Sequence, residues 1–140
     1  MAKNVRVVNR RASGVAVLFQ NSVLLAKRSE KCYMTGKPYP YGGYWSVFGG
    51  SIDEGETPIE CAGRELLEES NIFVDFKFIQ FVDVIRDESC DFYFHIYRSN
   101  KILIPELCQE HSEFGWFKIN ELVHFQDLID YNIVRLLGII

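Results

Sequence analysis

The segment between Thr57 and Ser70 constrains the fold most, because it combines a helix start signal with a helical pattern of apolar residues. Thr57 can cap this helix, Pro58 suits its first turn, and Glu60 completes a capping box with Thr57. At about 100° per residue, four residues share the side expected to face the core. They are Ile59, Ala62, Gly63 and Leu66. A glycine at this place predicts close packing against a strand, since it costs roughly 1 kcal/mol relative to alanine.

The rest of the chain predicts a sheet on which this helix can pack. Residues 14–19 form a continuous apolar run, and residues 23–26 follow after a polar turn, so the two segments predict a hairpin. Further strands are expected at residues 45–48, 72–84, 91–98 and 116–117. Apolar residues at steps of three and four predict a C-terminal amphipathic helix containing Phe125, Ile129, Ile133, Leu136 and Leu137. We therefore expect an α/β fold, one domain over residues 1–140 with a helix on each face of a sheet.

Three glutamates, Glu65, Glu68 and Glu69, fall together on another side of the predicted helix. Like charges at this spacing repel one another, and the helix C-terminus disfavours anions. A bound divalent cation would resolve the conflict, because hard cations take carboxylate oxygens as ligands. The helical spacing alone does not distinguish a metal-binding site from a solvated acidic surface.

The residues around these glutamates form the pattern G-x5-E-x7-R-E-L-x-E-E-x-N-I, from Gly50 to Ile72. It resembles the Nudix box, G-x5-E-x7-R-E-U-x-E-E-x-G-U, in which U is a bulky aliphatic residue. The matching positions are Gly50, Glu56, Arg64, Glu65, Leu66, Glu68, Glu69 and Ile72. Asn71 stands in place of the usual glycine. Asparagine tolerates the left-handed conformation that ends a helix, so we expect the helix end to survive.

The resemblance implies the Nudix fold, an α/β/α sandwich with a central mixed β-sheet, and a divalent-metal site. Mg²⁺ is the expected cofactor, and Mn²⁺ could replace it. Glu68 and Glu69 would be metal ligands, and the Gly50 carbonyl would add an oxygen. Glu65 would be a ligand or would hold the attacking water.

The resemblance also assigns a role to Arg64, which would orient the catalytic glutamates together with Glu56. A surface ion pair of Arg64 with Glu60 or Glu68 is the alternative interpretation.

Glu110 lies in an E-H element shortly before Trp116. In several Nudix subfamilies this element supplies a loop glutamate to the metal site. Glu110 is therefore a candidate metal ligand or general base, and Glu113 is the second choice. A charged surface loop explains the same residues without any role in the site.

Substrate-binding residues are less clearly marked. Arg28 and Lys37 could meet a phosphate, although either could be solvated. Aromatic side chains could stack on a base, or could fill the core; those considered are Tyr33, Tyr41, Tyr44 and Phe94. Strand alternation places Tyr93, His95 and Tyr97 on one face, opposite Phe92, Phe94 and Ile96. From these sets we select Arg28, Tyr44, Tyr93 and His95, although packing inside the protein explains His95 more simply.

Composition and charge limit the classes of partner and the compartment that we expect for this chain. The net charge of -4 and the pI of about 5.4 argue against general nucleic-acid binding. No apolar run approaches the roughly 20 residues needed to span a bilayer. Four scattered cysteines predict free thiols in a reducing cytoplasm. The basic residues Lys3, Arg6, Arg10 and Arg11 are interpreted as a solvated terminal segment. Dimers are common in Nudix proteins, so a homodimer is conceivable.

The resemblance favours metal-dependent hydrolysis of a diphosphate linkage in a nucleoside diphosphate derivative. Nucleoside triphosphates, dinucleoside polyphosphates and nucleotide sugars all remain open as substrates. One alternative is a Nudix module that senses a nucleotide without cutting it. Another is isomerisation of an isoprenoid diphosphate, which requires a reactive cysteine.

Overall fold

The structure, a computed structural model, describes residues 10–32, 34–38, 42–88, 90–125 and 129–140, and only the backbone of Phe125. Two of the aromatic candidates, Tyr33 and Tyr41, and the basic residues Lys3 and Arg6 lie outside these ranges.

A mixed sheet forms the centre of the described structure. Its strands are β1 (Arg10–Phe19), β2 (Ser22–Arg28), β3 (Trp45–Ser46), β4 (Phe48–Ser51), β5 (Ile79–Arg86), β6 (Cys90–Arg98) and β7 (His111–Lys118). The helices are α1 (Pro58–Ser70) and α2 (Tyr131–Ile139), with 3-10 helices at Phe76–Phe78 and Ile119–Phe125. The main strand order is β3-β2-β1-β6-β5, while β4 also pairs with β1 and β7 with β2. Strands β1 and β6 are parallel, and the other pairs of named strands are antiparallel.

Alternation along β1 explains why both faces of the sheet are covered. Val15 and Val17 point to the face on which Ala62 and Leu66 of α1 pack. Ala16 and Leu18 point to the opposite face, and they pack with three residues of α2: Ile133, Leu136 and Leu137. The predicted α/β/α sandwich with a mixed sheet is confirmed.

Both ends of α1 follow the sequence-based expectation. Thr57 and Glu60 form the reciprocal capping box. Asn71 ends the helix in the left-handed conformation, with φ 59° and ψ 23°, and its N–H donates to the Leu67 carbonyl. A Cβ atom at Gly63 would lie 2.9 Å from Phe76 Cε1 and 3.5 Å from Ile79 Cδ1. Close packing at Gly63 is therefore confirmed, although the nearest contact belongs to a 3-10 helix rather than to a strand.

Several predicted boundaries were wrong. The strand expected at residues 72–84 starts only at Ile79, because Asp75 caps the preceding 3-10 helix by accepting a bond from the Lys77 N–H. The C-terminal helix starts at Tyr131 after the Asp130 cap, since residues 119–125 form a separate 3-10 helix. The segment 45–48 divides between β3 and β4, which pair with different strands.

The ends of other strands also moved. Strand β7 is longer than the two residues expected, since it pairs with β2 along its whole length. Arg10 and Arg11 are exposed, as expected, but they belong to β1 and not to a segment outside the sheet.

Candidate active site

A cavity of about 340 Å³ opens where β1 and β2 diverge. The two strands pair only at residues 17–19 and 22–24, and β4 pairs with β1 at residues 12–15. The cavity is lined by residues 49–51 and by Arg10, Arg28, Asp53, Glu65 and Glu110. A larger cavity of about 480 Å³ lies beside Lys77 and Arg98 and has no acidic residue in its lining. The predicted site residues therefore point to the smaller cavity.

Four glutamates, Glu56, Glu65, Glu68 and Glu69, form an acidic cluster beside the cavity, and Arg64 binds the first three of them. Its Nε and Nη2 atoms donate to the two carboxylate oxygens of Glu56 at 2.7 and 2.9 Å. Its Nη1 atom donates to Glu65 Oε1 at 3.0 Å and to Glu68 Oε2 at 3.1 Å. The hydrogen bonds from Arg64 lower the pKa of Glu56 to about 2. This geometry is the one expected for an arginine that orients the glutamates, and it includes the alternative pair with Glu68.

Glu69 is buried at the other end of the cluster, with 3% of its surface exposed. Its Oε1 atom accepts a hydrogen bond of 2.8 Å from the Gly49 N–H. Burial, a hydrogen bond with Glu110 and the charge of Glu65 raise its pKa to about 9. Burial also raises the pKa of Glu65, with further contributions from Glu68 and Glu110. Several carboxyl groups are thus crowded where water cannot fully solvate them.

Gly50 leaves room for one of these carboxylates. A Cβ atom at this position would lie 2.5 Å from Glu65 Oε1 and 2.8 Å from Glu65 Oε2. Any other residue here would displace the Glu65 carboxylate, which explains the need for glycine at this position.

The oxygen atoms of this cluster fit a hard divalent cation, because carboxylate side chains and the backbone of residues 49–51 lie together at the cavity. In the ranges described, no three His, Cys, Asp or Glu side chains are already arranged to hold a metal ion. The contacts explain this, since Arg64 binds Glu65 and Glu68 while the Gly49 amide binds Glu69. The burial of Glu69 beside Glu65 supports the fit, because a cation bound among these carboxyl groups would favour their ionised forms.

The structure separates the remaining candidates. Glu110 and Arg28 line the cavity, whereas Glu113 is not among its lining residues. Tyr44 is 40% exposed, and its carbonyl accepts a bond from the Arg28 N–H, which places it beside Arg28. Lys37 lies in the loop after β2 and bonds locally to Thr35 through its backbone. The roles of these residues remain predictions.

Tyr93 and His95 are not among the residues that line the cavity, and His95 requires a correction because it is buried inside the sheet. His95 is 1% exposed, and its Nδ1 atom lies 3.1 Å from the Gly14 carbonyl oxygen. Burial lowers the pKa of its imidazole. Tyr93 instead accepts a hydrogen bond from Arg11 at its hydroxyl. Packing within the protein explains His95, so we withdraw its assignment to substrate binding, whereas Tyr93 is only partly buried and its assignment remains a prediction.

Sequence reasoning missed four residues that line the cavity: Arg10, Gly49, Ser51 and Asp53. Gly49 acts through its backbone amide, which sequence does not distinguish from any other amide. Arg10 looked like part of a solvated terminus, and only its position in β1 brings it to the cavity.

Comparisons with known proteins agree with this fold. The family model for the NUDIX domain matches residues 8–137. The chain is 31% identical over 112 residues to the oxidized purine nucleoside triphosphate hydrolase of Mus musculus, covering 76% of this chain and 70% of that protein. It is 38% identical over 63 residues to the 8-oxo-dGTP diphosphatase of Proteus vulgaris, covering 45% of this chain and 50% of that protein. The MutT protein of Methanosarcina mazei Go1 has a similar fold, with TM-score 0.70, 17% identity, and coverage of 96% of this chain and 94% of that chain.

The chain belongs to the NUDIX family. It is an enzyme of the pyrophosphohydrolase class, which cleaves phosphoric anhydrides. In the described residues the four cysteines form no disulfide with one another, and none of the helices has the length and apolar character of a membrane span.

Proposed function

We propose that this enzyme hydrolyses a diphosphate linkage of a purine nucleoside triphosphate and that a divalent cation is required. The observation that carries the proposal is the buried Glu69, crowded by Glu65 and Glu110 beside a cavity that also contains arginine. An enclosed group of like charges beside basic side chains suits a cation and a polyphosphate together. Oxidised purine triphosphates are the first candidates, because two relatives are named for such substrates.

The residues that would hold Mg²⁺, or Mn²⁺ in its place, are the Gly50 carbonyl, Glu65, Glu68, Glu69 and Glu110. Such an ion supplies Lewis-acid polarisation of phosphoryl oxygens and lowers the pKa of bound water.

Other side chains of the site would orient the reaction. Arg64 positions Glu65 and Glu68 through its hydrogen bonds. Glu65 or Glu110 would accept a proton from the attacking water, since both line the cavity. Arg28 would bind a phosphate oxygen, and Tyr44, beside it, would contact the nucleoside.

Two alternatives are weaker. A sensing module without turnover does not explain why every acidic position of the box is present. An isomerase would need a reactive thiol, but burial raises the pKa of Cys61 to about 12 and leaves it protonated. Its thiol instead donates weakly to the carbonyls of Gly50 and Ser51.

The test is a substrate panel in Mg²⁺, Mn²⁺ or EDTA, with products separated by ion-exchange chromatography. The panel contains dGTP, 8-oxo-dGTP, a dinucleoside polyphosphate and a nucleotide sugar. We expect a nucleoside triphosphate to give a monophosphate and pyrophosphate only when the metal is present. Equal turnover in EDTA, or turnover confined to the nucleotide sugar, would contradict the proposal. A homodimer and a cytoplasmic location also remain proposals, which light scattering and cell fractionation would test.

A further inference from the structure

Arg10 is a basic residue of the cavity to which no role has been assigned above. It opens β1 and lines the cavity that also contains Glu65 and Glu110. Its Nε atom donates a hydrogen bond of 2.9 Å to Ser51 Oγ, and this bond links the start of β1 to the end of β4. Among the described residues no acidic side chain forms an ion pair with Arg10. The bond to Ser51 occupies one of the five guanidinium N–H donors and fixes the direction of the side chain.

The next residue, Arg11, has the same charge but different surroundings. Its side chain points to the opposite face of β1, where its guanidinium lies 5.2 Å from the centre of the Tyr93 ring. Its Nη2 atom donates to the Tyr93 hydroxyl at 3.2 Å. Arg11 does not line the cavity. The chain thus provides two adjacent arginines of which one faces the candidate site.

The cavity has acidic and basic lining residues together. Asp53, Glu65 and Glu110 supply the acidic part, and Arg10 and Arg28 supply the basic part. A polyphosphate carries negative charge on each of its phosphate groups. Groups that bind one phosphate leave the charge of the others unbalanced, so a basic side chain of the protein is needed for the remaining phosphate. The planar fork of an arginine matches two phosphate oxygens, and the Ser51 bond reduces the freedom that Arg10 would lose on binding.

We propose that Arg10 is a specificity-determining residue that binds the terminal phosphate of the substrate. The inference rests on the proposed function and adds the feature that separates substrate classes. A nucleoside triphosphate ends in a phosphate group that Arg10 can bind, whereas the diphosphate of a nucleotide sugar is capped at both ends. Arg10 therefore favours nucleoside triphosphates over capped diphosphates.

The kinetic test compares Arg10→Ala with Arg11→Ala, which removes the same charge one residue away. For the best nucleoside triphosphate of the panel, Arg10→Ala is expected to raise KM about tenfold and leave kcat within about twofold, since binding to a charged group is lost equally before and during reaction. Arg10→Lys should recover part of this loss, because it retains the charge without the fork. Arg11→Ala should leave KM unchanged. Equal KM values in the two alanine variants would overturn the role of Arg10.

A binding measurement separates this inference from the proposed function. Inorganic triphosphate is titrated calorimetrically into the wild-type protein and both alanine variants in the presence of Mg²⁺. Arg10→Ala should weaken binding about tenfold relative to Arg11→Ala, whether or not any nucleotide is turned over. Absence of binding to the wild type, or equal binding by the two variants, would refute the Arg10 role. Failure of turnover with the expected binding difference would refute only the proposed function.

Discussion

Replacing Glu56 by glutamine tests whether Arg64 is held by charge or merely by shape. The two side chains are mostly enclosed, with 28% of Arg64 and 14% of Glu56 exposed, and two hydrogen bonds join them. Glutamine keeps the size and one acceptor oxygen but removes the negative charge. Arg64 would then lose its bidentate partner and would position Glu65 and Glu68 less firmly.

The pKa of Glu56 gives the size of the expected change in the free energy of unfolding. Hydrogen bonds from Arg64 lower this pKa from 4.5 to about 2, which corresponds to roughly 3 kcal/mol of stability at pH 7 for the ionised form. Solvent screening at the exposed part of Arg64 reduces the expected loss in Glu56→Gln to about 1.5 kcal/mol. For a chain of this size the melting temperature should fall by about 5 °C.

The sign of the pH dependence follows from the lowered pKa. The ionised carboxylate stabilises the fold fully above its unfolded pKa, and this stabilisation disappears as the pH falls toward the folded value. The difference between wild type and Glu56→Gln should therefore shrink to about half by pH 3.

Urea unfolding at pH 7 and at lower pH, in EDTA, measures this difference in the free energy of unfolding. Glu54→Gln is the matched control, because Glu54 is exposed and lies two residues away in the adjoining turn. A loss in Glu56→Gln that stays constant between pH 7 and pH 3, or that Glu54→Gln reproduces, would refute the reasoning.

Three further predictions concern the cavity. Glu69→Gln should abolish turnover while leaving the circular dichroism spectrum unchanged, because the amide still accepts from Gly49; retained turnover with Mg²⁺ would exclude Glu69 as a ligand. Glu110→Gln should lower kcat at least tenfold and Glu113→Gln should not, and the reverse result would transfer the role to the second glutamate. Gly50→Ala should lower kcat by displacing the neighbouring Glu65 carboxylate, whereas Gly138→Ala, where a Cβ atom meets nothing within 4 Å, should retain full activity.

The sequence predicted best what local rules control. The capping box of Thr57 and Glu60 and the left-handed Asn71 depend on neighbouring residues, and both were read correctly. The alternation of side chains between the two faces of β6 was also predicted from the sequence, because one face of this strand packs in the core that contains α2. The start of β5 was not, since an Asp75 side chain bonding to the Lys77 amide competes with strand structure over apolar residues.

The candidate site was predictable where the box defines it and less so elsewhere. The spacing of Glu65, Glu68 and Glu69 on one helix face brought the acidic residues together in sequence. The spacing did not show that Glu69 would be buried. Its burial arises from packing against β4, a strand distant in sequence whose Gly49 N–H donates to the Glu69 carboxylate. His95 was selected from its chemistry, but its neighbours in the sheet enclose it.

The divergence of β1 and β2 connects the fold to the chemistry. Beyond the hairpin, β1 pairs with β4 while β2 pairs with β3 and β7, and the cavity opens between β1 and β2. Strand β4 brings Gly49 and Gly50 against α1, where the absence of a side chain at residue 50 admits the Glu65 carboxylate. The same divergence leaves Arg10, at the start of β1, and Arg28, at the end of β2, facing one cavity at the open end of the hairpin. Acidic groups for a cation and basic groups for a polyphosphate therefore share the cavity because of strand pairing, and a change that closed this gap should abolish both functions together.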